Sequence, residues 1–143
     1  MTMTPIDVLA NLRAYLVAQA TLTTVLTNAA YVYGPPGFPD SVVSSMPCKL
    51  ITFLQSGGAP RGFQTPLTNA RVEFRCYGTT HIEASLVERT LASVLDKRNN
   101  SAIGSNCMFS ASKATEASFL TDPSTDWPFV FVVYDLIFNQ TVV

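Results

Sequence analysis

The sequence predicts an α+β fold, with a mainly antiparallel sheet of about four to five strands and two main helices packed on one face. Three observations lead to this prediction. Two segments repeat apolar residues at helical spacing. Several segments rich in β-branched and aromatic residues lie between turn-forming stretches. Short connections between consecutive strands favour antiparallel pairing, which leaves the helices together on one side of the sheet. We expect residues 1–143 to form a single domain.

Each predicted helix has a start signal and an apolar stripe. Pro5–Gln19 follows Thr4, a suitable N-cap, and a short helix over Leu22–Thr27 follows Thr21. Thr80 and Glu83 have the spacing of a capping box at the start of the central helix. Its predicted buried stripe consists of Ile82, Leu86, Val87, Leu91, Val94 and Leu95. Lys97 and Arg98 are expected in its last turn, where the helix dipole favours cations.

Five segments are predicted to be strands: Ala30–Gly34, Cys48–Gln55, Thr68–Tyr77, Cys107–Ala117 and Pro128–Phe138. Within Thr68–Tyr77, small and apolar residues alternate with charged ones, which is typical of a half-buried strand. The last strand is apolar on both faces, because Phe129 and Phe131 alternate with Val130 and Val132. Either this strand self-associates with another copy, or it is a central strand covered on both faces within one subunit.

Asp135 interrupts this apolar strand. A buried, unpaired carboxylate costs several kcal/mol, so Asp135 is expected to be paired, at an interface, or at an edge facing solvent. Arg71 and Arg75 on the alternating strand are its candidate partners.

Composition argues against several classes of function. Charged residues make up 13% of the chain, compared with about 25% in typical domains, which favours buried surface between subunits. The net charge of −1 gives no electrostatic footprint for nucleic acid. No apolar run is long enough to span a membrane, and the first residues, MTMTPID, lack the features of a signal peptide. The odd number of cysteines fits buried thiols in a reducing cytosol.

No residue pattern predicts a catalytic, cofactor or metal site. His81, the only histidine, lies just after a predicted helix cap, and Cys48, Cys76 and Cys107 lie in separate strands without a nucleophile motif. The Gly-rich segment Ser56–Pro66 lacks the ending of a phosphate-binding loop and is interpreted as a long hairpin loop. Loops of this length often bind partners, and an aromatic residue within one is a suitable anchor.

Taken in order, four segments resemble the tail-terminator or tail-completion proteins of long-tailed bacteriophages and prophages. They are LRAYLVAQATLTTVLTNAAYVYG, MPCKLITF after a Pro-rich loop, TNARVEFRCYGTTHIEASLVERTLASVL after a Gly-rich loop, and DPSTDWPFVFVVYDLIF. The resemblance implies a non-enzymatic virion protein that assembles as a hexameric ring. Such a ring caps the tail tube, ends its polymerisation and joins the tail to the head-side connector or stopper protein. DNA passes through the lumen without sequence-specific binding.

The resemblance also implies a location in the tail or neck of the virion, after synthesis in the bacterial host cytoplasm, with no membrane partner and no cofactor. The residues expected at partner or subunit interfaces are Gly57, Gly58, Arg61, Gly62, Phe63, Arg71, Arg75 and Asp135. Two alternatives remain open: a head-completion or stopper protein of the neck, and a small ligand-binding α+β domain.

Overall fold

The computed structural model describes residues 8–35, 37–57, 67–96, 98–102 and 107–140. These residues form four helices and seven strands. The helices are α1 (Val8–Val17), α2 (Ala20–Thr23), α3 (Asp40–Val43) and α4 (His81–Leu95). The strands are β1 (Val32–Tyr33), β2 (Leu50–Gln55), β3 (Leu67–Tyr77), β4 (Arg98–Ala102), β5 (Cys107–Lys113), β6 (Ser118–Thr121) and β7 (Pro128–Gln140).

One mixed sheet joins all the strands, in the order β1-β2-β3-β7-β5-β4, with β6 also paired to β7. Only the pairing of β1 with β2 is parallel. The long strand β7 is central: β3 lies along one edge, while β5 and β6 share the other edge. The predicted α+β class and the mainly antiparallel sheet are confirmed, but the expected number of strands was too low.

The prediction missed β4 and β6 for two different reasons. The β4 sequence, RNNSA, is polar and turn-like, and it is held as a strand by pairing with β5. The predicted strand Cys107–Ala117 ends at Lys113, because the backbone N–H groups of Ala114 and Thr115 both point to the carbonyl of Val133. This break in the ladder separates β5 from β6 along the same edge of β7.

The inner face of the sheet is packed against the helices, as the alternating pattern predicted. Ala70, Val72, Phe74 and Cys76 of β3 are fully buried there, together with Val130, Val132, Tyr134, Leu136 and Phe138 of β7. The hydroxyl of Tyr15 donates a 2.6 Å hydrogen bond to the carbonyl of Val94, which ties α1 to α4. The predicted stripe of α4 was wrong at Ile82 and Leu86, which are 80% and 40% exposed. Ala84 and Glu88 are buried instead.

The predicted N-cap of α4 is present, but the Glu83 carboxylate accepts its hydrogen bond from the amide of Thr79 instead of from Thr80. Thr80 accepts a hydrogen bond from the Glu83 amide, and Glu83 accepts a 2.8 Å bond from the amide of Thr79. Hydrogen bonds from Thr79 lower the pKa of Glu83, so the cap weakens only as the pH falls through that lowered value. The expected cationic last turn was wrong: α4 ends at Leu95, Arg98 begins β4, and Lys97 lies outside the described residues.

A buried ion pair joins α4 to the inner face of the sheet. Lys113 Nζ lies 3.0 Å from Glu88 Oε1, and the two side chains are 21% and 6% exposed. Burial alone would lower the pKa of Lys113, but the hydrogen bond and charge of Glu88 outweigh it, so the pKa is raised. The Lys113 amide also donates to Asp96 at the end of α4. Position 113 therefore holds the end of β5 against the helix.

Breaking this pair on one side is expected to destabilise the protein strongly. Lys113→Met should lower the free energy of unfolding by about 3 to 5 kcal/mol, since Glu88 is left buried without its partner. Combining Lys113→Met with Glu88→Leu should restore most of that loss, because two apolar side chains can fill the same space. Urea denaturation of both variants tests this expectation.

The exposed pair Arg71–Asp135 supplies the matched control, with side chains 53% and 40% exposed. Arg71→Met should leave the free energy of unfolding nearly unchanged, because solvent screens the pair. If Lys113→Met and Arg71→Met lowered the free energy of unfolding equally, burial would not be the reason that the Lys113–Glu88 pair stabilises the protein.

Candidate interaction surfaces

The outer face of the sheet lies opposite α1 and α4, and every second residue of β2, β3 and β7 points to it. Its members include Leu50, Thr52, Leu54, Asn69, Arg71, Glu73, Arg75, Tyr77, Phe129, Phe131, Val133, Asp135 and Ile137. This face is partly apolar and partly charged. It carries three of the residues that the sequence placed at an interface: Arg71, Arg75 and Asp135.

The chain itself covers one end of the outer face. The segment from Tyr31 to Cys48 packs against Tyr77 and Phe129 and contributes Val42 of α3. Phe38 lies 6.1 Å from Trp127 and 6.3 Å from Tyr77, measured between ring centroids. Much of the two-faced apolar character of β7 is thus explained within one subunit. Phe131 and Ile137 remain only partly buried.

Asp135 is paired on the outer face. Arg71 lies directly opposite Asp135 in the β3–β7 register. The Arg71 guanidinium donates two hydrogen bonds, of 3.0 and 3.3 Å, to the Asp135 carboxylate. Asp135 raises the pKa of Arg71 through this hydrogen bond. Asp135 is not at a sheet edge, since β3 and β5 flank it on either side. Solvent around the pair keeps its contribution to stability small.

The Gly-rich segment begins beside this pair. The backbone N–H of Arg71 donates a 2.7 Å hydrogen bond to the carbonyl of Gly57, and the N–H of Ser56 donates to the carbonyl of Arg71. Gly57 has a φ of +107°, a conformation that residues with a side chain rarely adopt. The structure therefore brings Gly57, Arg71 and Asp135 together. Gly58, Arg61, Gly62 and Phe63 lie outside the described residues.

A groove of about 400 Å³ runs along the outer face between β2, β3 and the segment around Phe38. Its lining includes the side chains of Leu54, Glu73 and Arg75. Arg75 does not reach Asp135, and its guanidinium carbon lies 5.3 Å from the centroid of the Phe129 ring. The groove thus combines apolar walls with one acidic and one basic side chain.

A second exposed surface lies where α4 meets β6, and sequence reasoning missed it. Phe119 is 62% exposed and stacks on His81, with their ring centroids 6.2 Å apart. His81 Nε2 lies 2.9 Å from the carbonyl oxygen of Leu120. Ile82 and Leu86 are two further exposed apolar side chains of α4. The sequence did contain a pattern that indicates this exposure. Ala84, Val87, Leu91 and Val94 recur at helical spacing on one face of α4, and Ile82 and Leu86 lie away from that face.

The described residues show no arrangement for nucleophilic catalysis. Burial raises the pKa of Cys76 and of Cys48, which keeps both thiols neutral, and the Cys48 thiol contacts the Met46 sulfur. The hydrogen-bond contacts of His81 are with Leu120 and Thr121. Within the same residues, no cluster of three His, Cys, Asp or Glu side chains could hold a metal ion. None of the described helices has the length and apolarity needed to cross a membrane.

Solved structures that resemble this fold include a chain from a virion. A chain from the virion of a native gene transfer agent particle matches with a TM-score of 0.66 and 10% identity, covering 96% of this chain and 100% of that chain. The gp17 protein of bacteriophage SPP1 matches with a TM-score of 0.47 and 16% identity, covering 94% of this chain and 85% of that chain. No protein family and no curated protein matches the sequence. At 10% identity, the first match shows a shared fold.

His81 is expected to hold β6 against α4. His81→Ala should lower the free energy of unfolding by about 1 kcal/mol, because the contact with the Leu120 carbonyl is lost. His81→Gln should recover part of this loss, since its amide can donate to the same carbonyl. Thermal denaturation checks both variants. A His81→Ala protein with unchanged stability and no biological activity would contradict this role and assign His81 a direct function.

Proposed function

We propose that this protein is a structural subunit of a phage-type virion. In this proposal residues 1–143 act as one domain, and six copies form a ring that caps the tail tube and ends its polymerisation. The ring then joins the tail to the head-side connector or stopper protein, and DNA passes through its lumen without sequence-specific contacts. The subunit is made in the bacterial host cytoplasm, acts in the tail or neck of the virion, and performs no catalysis.

The shared fold is the observation that carries this proposal. It extends over 96% of this chain and the whole of a chain from a gene transfer agent virion, at a TM-score of 0.66. A match that spans both chains supports a comparable subunit more strongly than a match to one motif would. The order of the four segments that resemble tail-terminator proteins points independently to the same class of protein.

The exposed surfaces fit a subunit that binds other proteins. Large apolar side chains are exposed on β2, on β6 and on the first turns of α4. These side chains leave apolar area in water that a partner could cover, which would be favourable. The low charge content of 13% leaves few residues to solvate such a surface in an isolated monomer.

The groove beside Arg75 supports a second candidate, a small ligand-binding domain. Apolar walls with one acidic and one basic side chain are typical of small-molecule sites. A head-completion or stopper protein would also form a ring, so ring formation alone does not separate it from a terminator. The place where the ring binds separates them, because a terminator binds the end of the tail tube.

The purified protein is expected to form a ring on tail tubes. Tubes assembled from the tube protein encoded in the same genome should stop elongating when it is added. Electron microscopy should show a ring at one end of each tube, and native mass spectrometry should show six subunits of 15.5 kDa per ring. Tubes that keep growing without a cap would contradict the terminator role, and rings on isolated connectors alone would favour a stopper.

Arg61 and Phe63 are proposed to contact the tube or a neighbouring subunit. Arg61→Ala and Phe63→Ala should leave the unfolding transition unchanged and reduce capping at least several-fold, because aromatic and arginine side chains often dominate interface energy. The control is Gln64→Ala in the same segment. Normal tube length with both variants would show that this segment is only a connector.

A further inference from the structure

Two buried side-chain oxygen atoms in the described part of the chain keep unused hydrogen-bonding capacity. They are the hydroxyl oxygen of Tyr134 and Oε1 of Glu88. The hydroxyl has no hydrogen-bond partner there, and Glu88 Oε1 has only its ionic contact of 3.0 Å with Lys113. A carboxylate oxygen has two lone pairs, so Glu88 Oε1 can still accept from a further donor. Buried polar groups of this kind are costly unless a protein group or a water molecule pairs with them.

The two oxygen atoms lie near each other beneath α4. Tyr134 is directly opposite Lys113 in the β5–β7 register, so both side chains leave the sheet on its inner face. Glu88 reaches the same place from α4, because it contacts Lys113. Burial raises the pKa of Tyr134, and the charge of Glu88 raises it further, so the carboxylate is close enough to act on the hydroxyl.

Neither side chain is free to move onto the other. The ring of Tyr134 is fully buried and meets the ring of Phe74 edge-on, with centroids 5.5 Å apart. Glu88 is buried and held by Lys113. A donor and an acceptor therefore face the same space at a separation longer than a hydrogen bond. A water molecule can bridge two such groups at little cost.

We infer that Tyr134 and Glu88 bind one water molecule between α4 and the sheet. The Tyr134 hydroxyl donates a hydrogen bond to the water oxygen, and the water donates one to Glu88 Oε1. A buried water typically bonds about two to four polar groups, and these two oxygen atoms supply the first two.

This water site ties α4 to two adjacent strands of the sheet. Glu88 of α4 receives Lys113 of β5 directly and Tyr134 of β7 through the water. The site belongs to the single subunit and does not depend on a ring. Its failure would leave the proposed function intact, and failure of the proposed function would leave the site intact.

Tyr134→Phe tests the site, because it removes the hydroxyl and keeps the ring. Loss of the bridge should lower the unfolding temperature by roughly 3 °C. In a background that carries Lys113→Met and Glu88→Leu, the carboxylate is gone and the hydroxyl stays buried without a partner. Tyr134→Phe should therefore raise the unfolding temperature in that background.

The other two outcomes overturn the site. A rise in both backgrounds would show that nothing pairs with the Tyr134 hydroxyl. A fall in both backgrounds would show that the hydroxyl has a partner other than Glu88.

Tyr15→Phe is the matched control. The Tyr15 hydroxyl is also buried, but it donates its 2.6 Å hydrogen bond to the backbone carbonyl of Val94. Tyr15→Phe should therefore lower the unfolding temperature in both backgrounds. A change of sign at Tyr15 as well would overturn the assignment, since altered packing of α4 would then explain the change at Tyr134.

Crystal structures of the unmodified protein and of Tyr134→Phe identify the bridge. The unmodified protein should show one ordered water molecule about 3 Å from both oxygen atoms, and the variant should lack it. A direct hydrogen bond of about 2.6 Å between the hydroxyl and the carboxylate would overturn the water site, even with a change of sign in the thermal data. An empty space between the two oxygen atoms would overturn it as well.

Discussion

The pairing of β3 with β7 is the constraint on which the rest of the structure depends. Every residue from Leu67 to Tyr77 lies opposite a residue of β7, without a bulge. This register fixes which side chains of both strands face the helices and which face outwards. The inner set is apolar and packs against α1, α2 and α4. The outer set contains the charged residues of β3 and becomes the surface available to partners.

The same register decides the environment of the ionic groups. Arg71 and Asp135 are opposite one another on the outer face, where solvent surrounds them. Lys113 points to the inner face and meets Glu88 beneath α4. Two ion pairs of similar length therefore differ in energetic consequence, because one is hydrated and the other is enclosed. The enclosed pair positions α4 and β5, while the hydrated pair contributes little to stability.

A central strand longer than its neighbours leaves the sheet with uneven edges. β7 is covered on one edge by β3 but on the other by β5 and β6 in succession, with the ladder interrupted between them. β1 in turn covers only part of β2. The two open segments lie on opposite sides of the sheet and carry exposed leucines. Open strand edges of this kind can pair with another chain.

The sequence by itself determined the α+β class, the alternation of β3, the cap of α4 and the partners open to Asp135, because these depend on local spacing. It missed β4, whose polar residues become a strand only through pairing with β5. It also placed Ile82 and Leu86 in the core, although the direction from which α4 meets the sheet leaves them exposed. Only the tertiary structure decided which partner Asp135 takes and which edges stay open, since long-range register sets both.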